Sequence, residues 1–155
     1  MRKKKVKKRY IISDPKYNNI LAAKFINCLM KKGKKNLAHK IFYNSIEIVS
    51  NKTNEKGIEV WKKALNNIMP HIEVKKKKIG GATFQVPIEV RPERKISLGI
   101  KWLIYYSKLR SENTMKEKLA NEIISASKGS GNAVKRKTDM HKTAESNKAF
   151  SHFRF

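Results

Sequence analysis

Four consecutive lysines, Lys75 to Lys78, stand just before Gly80-Gly81. No packed core accepts four adjacent ammonium groups without partners, so this run must fold as an element that leaves the body of the protein. The surrounding residues say which element. After the glycines, Phe84, Val86, Ile88 and Val90 alternate with Thr83, Gln85, Pro87 and Glu89, the period of two that marks a strand with unlike faces. Before them, Ile72 and Val74 begin the same alternation. Gly80 and Gly81 supply the positive φ angles of a tight turn. The stretch predicts a β-hairpin over about residues 72–90. Pairing Ile72 with Val90 and Val74 with Ile88 gives it an apolar root and a three-residue turn, Gly80 to Ala82; a two-residue turn sets Lys75 opposite Val86. The expected product is a basic arm whose outer half has no part in the core.

The rest of the chain reads helical. Asn18 or Asn19 caps a first helix, Ile20 to about Lys32, with Leu21, Phe25, Cys28 and Leu29 on its apolar face. A second, about Asn36 to Ser50, carries Leu37, Ile41, Asn44, Ser45 and Ile48, with Phe42 beside them. A third, about Glu59 to Met69, buries Val60, Trp61, Ala64, Leu65 and Ile68 before Pro70 closes it. Ile96 to Leu109 is apolar on nearly every side and is expected to be the central helix, with Gly99 admitting a close neighbour. Thr114-Met-Lys-Glu117 has the form of a capping box and opens a fifth helix. The last, about Ala133 to Phe150, has a thin apolar stripe, and Phe150, Phe153 and Phe155 follow as aromatics that stack or pack. The expected fold is mainly α, six helices with one protruding basic hairpin. Residues 1–12 form a basic arm, flexible off RNA, and 13–155 a single helical domain with the hairpin inserted.

Charge narrows the function. The 155 residues hold 37 Lys and Arg against 12 Asp and Glu, a formal net charge of +25. Such an excess repels itself in a compact state and calls for a polyanionic partner. One cysteine excludes a disulfide framework and a cysteine-cluster zinc site. The basic N-terminus has no apolar stretch after it and no run reaches transmembrane length, so a soluble, cytosolic protein is expected, with no membrane partner. Gly33-Lys34-Lys35 fails as a phosphate-binding loop, because Cys28 stands where its first glycine belongs and Lys35 where Ser or Thr would hold magnesium. The histidines have no ligand spacing, and no nucleophile, base and orienting acid stand together. The reading is a binding protein, not an enzyme, with no cofactor and no metal. The cationic elements are scattered over tail, interhelix turn, hairpin and last helix, which fits a folded RNA better than a DNA groove. An architectural DNA-binding protein with a basic β-arm is the alternative; such arms commonly carry an apolar or proline wedge at the tip, and here the tip is Gly-Gly.

Several runs resemble the bacterial and organellar family of the seventh protein of the small ribosomal subunit: Asp14-Pro-Lys-Tyr, Phe25-Ile-Asn-x-Leu-Met with Gly33-Lys-Lys, Gly80-Gly-Ala-Thr-Phe-Gln-Val-Pro-Ile-Glu-Val-Arg-Pro, and Ala144-Glu-Ser-Asn-Lys-Ala-Phe-Ser-His-Phe-Arg. The likeness covers essentially the whole chain. It implies a primary binder of small-subunit rRNA that seats on the 3′ major domain, nucleates head assembly, and lies in the cytoplasmic ribosome at the subunit interface near the exit-site tRNA. It also implies neighbouring head proteins and the eleventh (platform) protein as partners. Some members bind their own operon mRNA, a role on which these residues are silent. The resemblance places rRNA contacts at Arg2, Lys3, Lys4, Lys5, Lys7, Lys8 and Arg9, at Lys34 and Lys35, at Lys75, Lys76, Arg91, Arg94 and Lys95, and at Lys108, Arg110, Lys135, Arg136 and Lys142. Lys77, Lys78, Gly80 and Gly81 are placed toward the tRNA. The tail departs from the family in being lysine-rich without Gly or Pro, and lysine lacks the planar fork of arginine.

Overall fold

Asn19 starts the first helix as its spacing predicts: its side-chain oxygen accepts the Leu21 amide at 2.8 Å. The computed structural model describes residues 10–154, and Arg2 to Arg9 of the expected arm lie outside them. The described elements are α1 (Ile20–Leu29), α2 (Lys35–Thr53), α3 (Gly57–Ile68), β1 (Ile72–Ile79), β2 (Ala82–Glu89), α4 (Pro92–Lys108), α5 (Met115–Ser127), α6 (Asn132–Ser146) and a closing 3-10 helix, Lys148–Arg154. This is the expected class, helices with one antiparallel hairpin. The chain divides into two compact units with the boundary between Lys40 and Ile41, inside α2.

In the first unit, α1 stops at Leu29, short of the expected Lys32, and buries Ala22, Phe25, Ile26 and Leu29. Cys28, expected in that stripe, is exposed. The buried face keeps Phe25 and Leu29 but takes Ala22 and Ile26 in place of Leu21 and Cys28, a shift of about one position around the helix. Lys32 and Gly33 follow with positive φ, 51° and 72°. Asp14 is buried, and its carboxylate accepts the Tyr17 amide at 3.1 Å and lies 3.5 Å from His39 Nδ1.

The stripe on α2 is displaced in the same way. Ala38, Phe42, Ser45, Ile46 and Val49 are buried, while Leu37 is half-exposed. In the second unit, Phe42 meets Trp61 edge to face, with centroids 5.4 Å apart. On α3 all five expected residues, Val60, Trp61, Ala64, Leu65 and Ile68, are buried. α3 packs on α4 and α5, and α4 also packs on α5. A Cβ at Gly99 would stand 3.0 Å from Met69 Cγ and 3.3 Å from Leu65 Cδ1, so this glycine does admit a close neighbour.

Other boundaries differ from the sequence reading. α4 begins at Pro92, four residues before Ile96, since proline at the first helical position is preset for the helix. Arg94 and Lys95 therefore sit in its first turns and not in an exit loop. α4 is also not apolar all round in use, for Tyr105 and Leu109 are exposed. α6 ends at Ser146, and the chain continues as the 3-10 helix rather than as α-helix to Phe150. Ser146 and Asn147 side chains both turn back on the Thr143 carbonyl, at 3.0 and 2.8 Å, a local alternative to continuing the helix.

The hairpin keeps its position but not its register. Ile72 pairs with Glu89, Val74 with Pro87 and Lys75 with Val86, and Ile79 with Ala82 closes a two-residue turn. Gly80 and Gly81 both have positive φ, 55° and 89°, the requirement of the turn whose twist matches the strands it joins. Turn geometry thus outweighs the apolar pairing at the root. Glu73 faces Ile88. One face of the ribbon carries Glu73, Lys75, Lys77, Phe84, Val86 and Ile88, and the other Ile72, Val74, Lys76, Lys78, Gln85 and Pro87. Pro87 is tolerated because a two-stranded sheet has only edges. The outer half is not clear of the body. Phe84 lies 5.2 Å from Phe150 and 5.3 Å from Phe153 between ring centroids, and Lys77 Nζ donates to the Phe153 carbonyl at 3.0 Å. The closing 3-10 helix thus seats on the hairpin.

Candidate nucleic-acid interface

Lys34 and Lys35 sit where the positive-φ pair Lys32 and Gly33 turns the chain into α2. Lys31 to Lys35 are all exposed, and no acidic residue occupies the first turn of α2. The unsatisfied amides of a helix start carry partial positive charge. Lysines there add to that charge instead of neutralising it. Lys31 and Lys32 belong to the same spot and were not singled out from the sequence; the glycine beside them was the available signal.

At the root of the hairpin the cations meet one buried acid. Glu73 is 6% exposed. Arg94 Nε donates to both of its oxygens at 2.9 and 2.7 Å, and Lys75 Nζ stands 3.9 Å away. This ties the start of α4 to β1. Lys95 Nζ lies 3.4 Å from His71 Nδ1, and the His71 amide donates to His141 Nε2 on α6 at 3.1 Å. Lys137 Nζ donates to the Asn67 carbonyl at the end of α3 at 2.9 Å. The structure therefore brings together the hairpin root, the start of α4 and α6. Burial first, then Lys137 and His71, push His141 below its ordinary pKa, so the ring is neutral and accepts that amide while carrying its proton on Nδ1. His71 and His141 have no ligand spacing in sequence, and only the fold makes them neighbours.

Away from the root, Lys76, Lys78, Gly80, Gly81 and Arg91 are exposed, as are Lys135, Arg136 and Lys142 along α6. Lys77 is partly covered by its bond to the closing helix. Lys108 is exposed in the last turn of α4. Arg110 is engaged by the protein's own acids: Nε donates to Glu112 at 2.9 Å and Nη1 to Glu122 at 2.9 Å. Glu122 is fully buried, and its other oxygen accepts the Ala133 amide at 3.1 Å, capping α6. The burial of this acid has no local sign in the sequence. Glu112 accepts from Asn121 at 2.9 Å. That bond, opposed by burial and aided by a backbone bond and Arg110, holds its carboxyl down to about 2.

Among the described residues no group of His, Cys, Asp and Glu is arranged to hold a metal ion, and no helix is long and apolar enough to cross a membrane. The arrangement is chemically one of exposed cations over a hydrogen-bonded scaffold. Such cations neutralise phosphates and release their counterions.

Comparison with known proteins agrees. The profile of a family described as ribosomal protein S7p/S5e matches residues 1–148. The chain is 62% identical over 154 residues, 99% of both chains, to the small ribosomal subunit protein uS7 of Amoebophilus asiaticus. It is 59% identical to the protein of that name from Cytophaga hutchinsonii over the full length of both. With that of Leptospira biflexa it shares 52% identity over 99% of this chain and 98% of the relative.

Proposed function

The chain belongs to the ribosomal protein S7p/S5e family, and from that premise we propose where and how this structural, non-enzymatic constituent of the small ribosomal subunit is seated. It is a primary rRNA-binding protein of the 3′ major domain. It nucleates assembly of the head and lies at the subunit interface near the exit-site tRNA, in the cytoplasmic ribosome. Its partners are small-subunit rRNA, exit-site tRNA, adjoining head proteins and the eleventh protein, with its own operon mRNA as a further RNA of the same chemistry.

The observation that carries this reading is the placement of exposed cations over relatives matched end to end. Lys34, Lys35, Lys75, Lys76, Arg91, Lys135, Arg136 and Lys142 all face solvent. Phosphates meet them, together with Arg2 to Arg9 of the arm. Arg94 and Lys95 act from the root of the hairpin, and Lys108 from the end of α4. Arg110 contributes by holding α4 to α5. The Gly80-Gly81 tip, with Lys77 and Lys78 behind it, reaches toward tRNA. The tip has no apolar wedge, which speaks against a DNA-bending arm.

Co-sedimentation with the small subunit after a high-salt wash is the test. Retention is expected, and a matched competition should show structured rRNA displacing duplex DNA. Preference for duplex DNA would overturn the ribosomal reading. Replacing Lys34 and Lys35 together with Ala is expected to weaken rRNA binding by roughly 1–3 kcal/mol, the scale of hydrogen bonds to charged groups.

A further inference from the structure

Of the features the function does not absorb, a cavity of about 570 Å³ beside the hairpin root is the most informative. Its apolar lining is Ile72 and Pro87, from the ribbon face that turns away from Phe84, and Ala144 from α6. Its polar lining follows helical spacing. His141 and Glu145 are four apart, so they share a face of α6. Lys148 stands at i+7 on the segment that leaves the helix, and His152 closes the far side. The closing 3-10 helix, which supplies Ser151 and His152 to the lining, is held to β2 through Phe84, Phe150 and Phe153.

Two details restrict the occupant. Glu145 is one of only twelve acids in a chain with net charge +25. A carboxylate repels phosphate, so an acid lining this cavity favours a group that offers N–H donors. His141 is committed on Nε2 to the His71 amide, and its remaining ring nitrogen is a donor. An apolar platform, an imidazole wall, an acceptor in Glu145 and donors in His141 and the Ser151 hydroxyl are the recognition set of an unstacked base. Lys148 at the rim suits the phosphate of the same nucleotide.

We propose that this cavity is a pocket for a single splayed-out RNA nucleobase, with guanine the preferred base. Glu145 accepts from the N1–H and 2-amino donors of its Watson–Crick edge, and the ring rests between the Ile72–Pro87 floor and His152. The assignment rests on the RNA-binding reading and adds a base-specific contact to it, where the exposed lysines read only backbone.

The test uses the full chain and nucleoside monophosphates, followed through the His141 and His152 ring resonances. GMP is expected to shift both at millimolar concentration. Inosine monophosphate, which lacks the 2-amino group, should bind more weakly, and adenosine and uridine monophosphates weaker still. Glu145→Gln should reduce GMP affinity about tenfold while leaving the Tm within error. Equal shifts from all four nucleotides would reduce the pocket to a phosphate contact of Lys148, and no shift from any would remove it; either result overturns the proposal. Loss of rRNA binding by the unmodified protein would instead refute the ribosomal reading, so the two failures are separable.

Discussion

Arg110 illustrates how a cation chosen for phosphate can serve the protein itself. Burial disfavours its charge, yet bonds to Glu122 and Glu112 outweigh that and raise its pKa. Arg110→Ala would leave the fully buried Glu122 with its partner removed, keeping only the α6 amide. Breaking a buried pair in this way costs about 3–5 kcal/mol, and because the arginine is about a quarter exposed the lower end applies. Chemical denaturation is expected to report a loss of about 3 kcal/mol, whereas Lys142→Ala, on an exposed position, should leave stability unchanged. Glu112 gives a sharper residue-level readout. Its carboxyl titrates at about 2 against an ordinary 4.5. The stability it lends is thus fully present above 4.5 and is lost progressively as the pH falls from there through about 2. An NMR titration should find that midpoint in the native chain, and Asn121→Ala should move it toward 4.5. His141 runs the other way in sign of charge but not in direction. Its pKa is lowered from 6.5, so the unfolded chain takes up a proton that the folded one refuses. Stability should decline as the pH drops below about 6.5, and His141→Gln should flatten that slope in thermal melts.

At the scale of elements, local chemistry was legible and rotation was not. The capping residue Asn19, the capping box at Thr114 and the two hairpin glycines each act where their spacing places them, because each works within a turn of its own backbone. The face that a helix buries depends on what it packs against. On α1 and α2 the leucines Leu21 and Leu37 yield core positions to Ala22 and Ala38, since small residues let elements approach closely. On α3 the whole expected face is buried, and the helix packs on both α4 and α5. The same limit applies to the candidate site. The exposed lysines could be chosen from charge alone, but Arg94, Arg110 and Lys77 are diverted to partners far away in sequence, Glu73, Glu122 and the Phe153 carbonyl. The hairpin therefore carries more than a basic surface. Deleting residues 77–84 removes Phe84 and the Lys77 bond, so the bundle should melt within a few degrees of the native protein while the closing helix is released. Hydrogen exchange of amides 148–154 should rise in the deletion variant and in Phe84→Ala. Unchanged protection there would mean that the aromatic cluster does not hold the closing helix.

For the whole molecule one quantity, a net charge of +25, should pull stability and affinity in opposite directions as salt rises. In the free protein the exposed lysines repel one another at separations comparable with the screening length, about 10 Å at 0.1 M salt. Few acids are available to relieve them, and two of the buried ones, Glu73 and Glu122, are already engaged with Arg94 and Arg110. Added salt weakens this repulsion more than it weakens those short, partly buried pairs, so the free protein's Tm should rise between 50 and 500 mM NaCl, roughly the range over which the screening length shrinks several-fold. Binding to rRNA follows the opposite rule. Each neutralised phosphate releases counterions, and log K falls against log salt with a slope of roughly −0.7 to −0.9 for every contact. If about eight lysines and arginines meet phosphate, the slope should lie near −6 to −7, and each pair removed, such as Lys135 and Arg136, should lower its magnitude by roughly 1.5. Melts and filter-binding isotherms on the same preparation across the same salt series decide the matter. Parallel responses, or a slope unmoved by those substitutions, would mean that the exposed cations are spent on the protein's own solubility and not on an RNA partner.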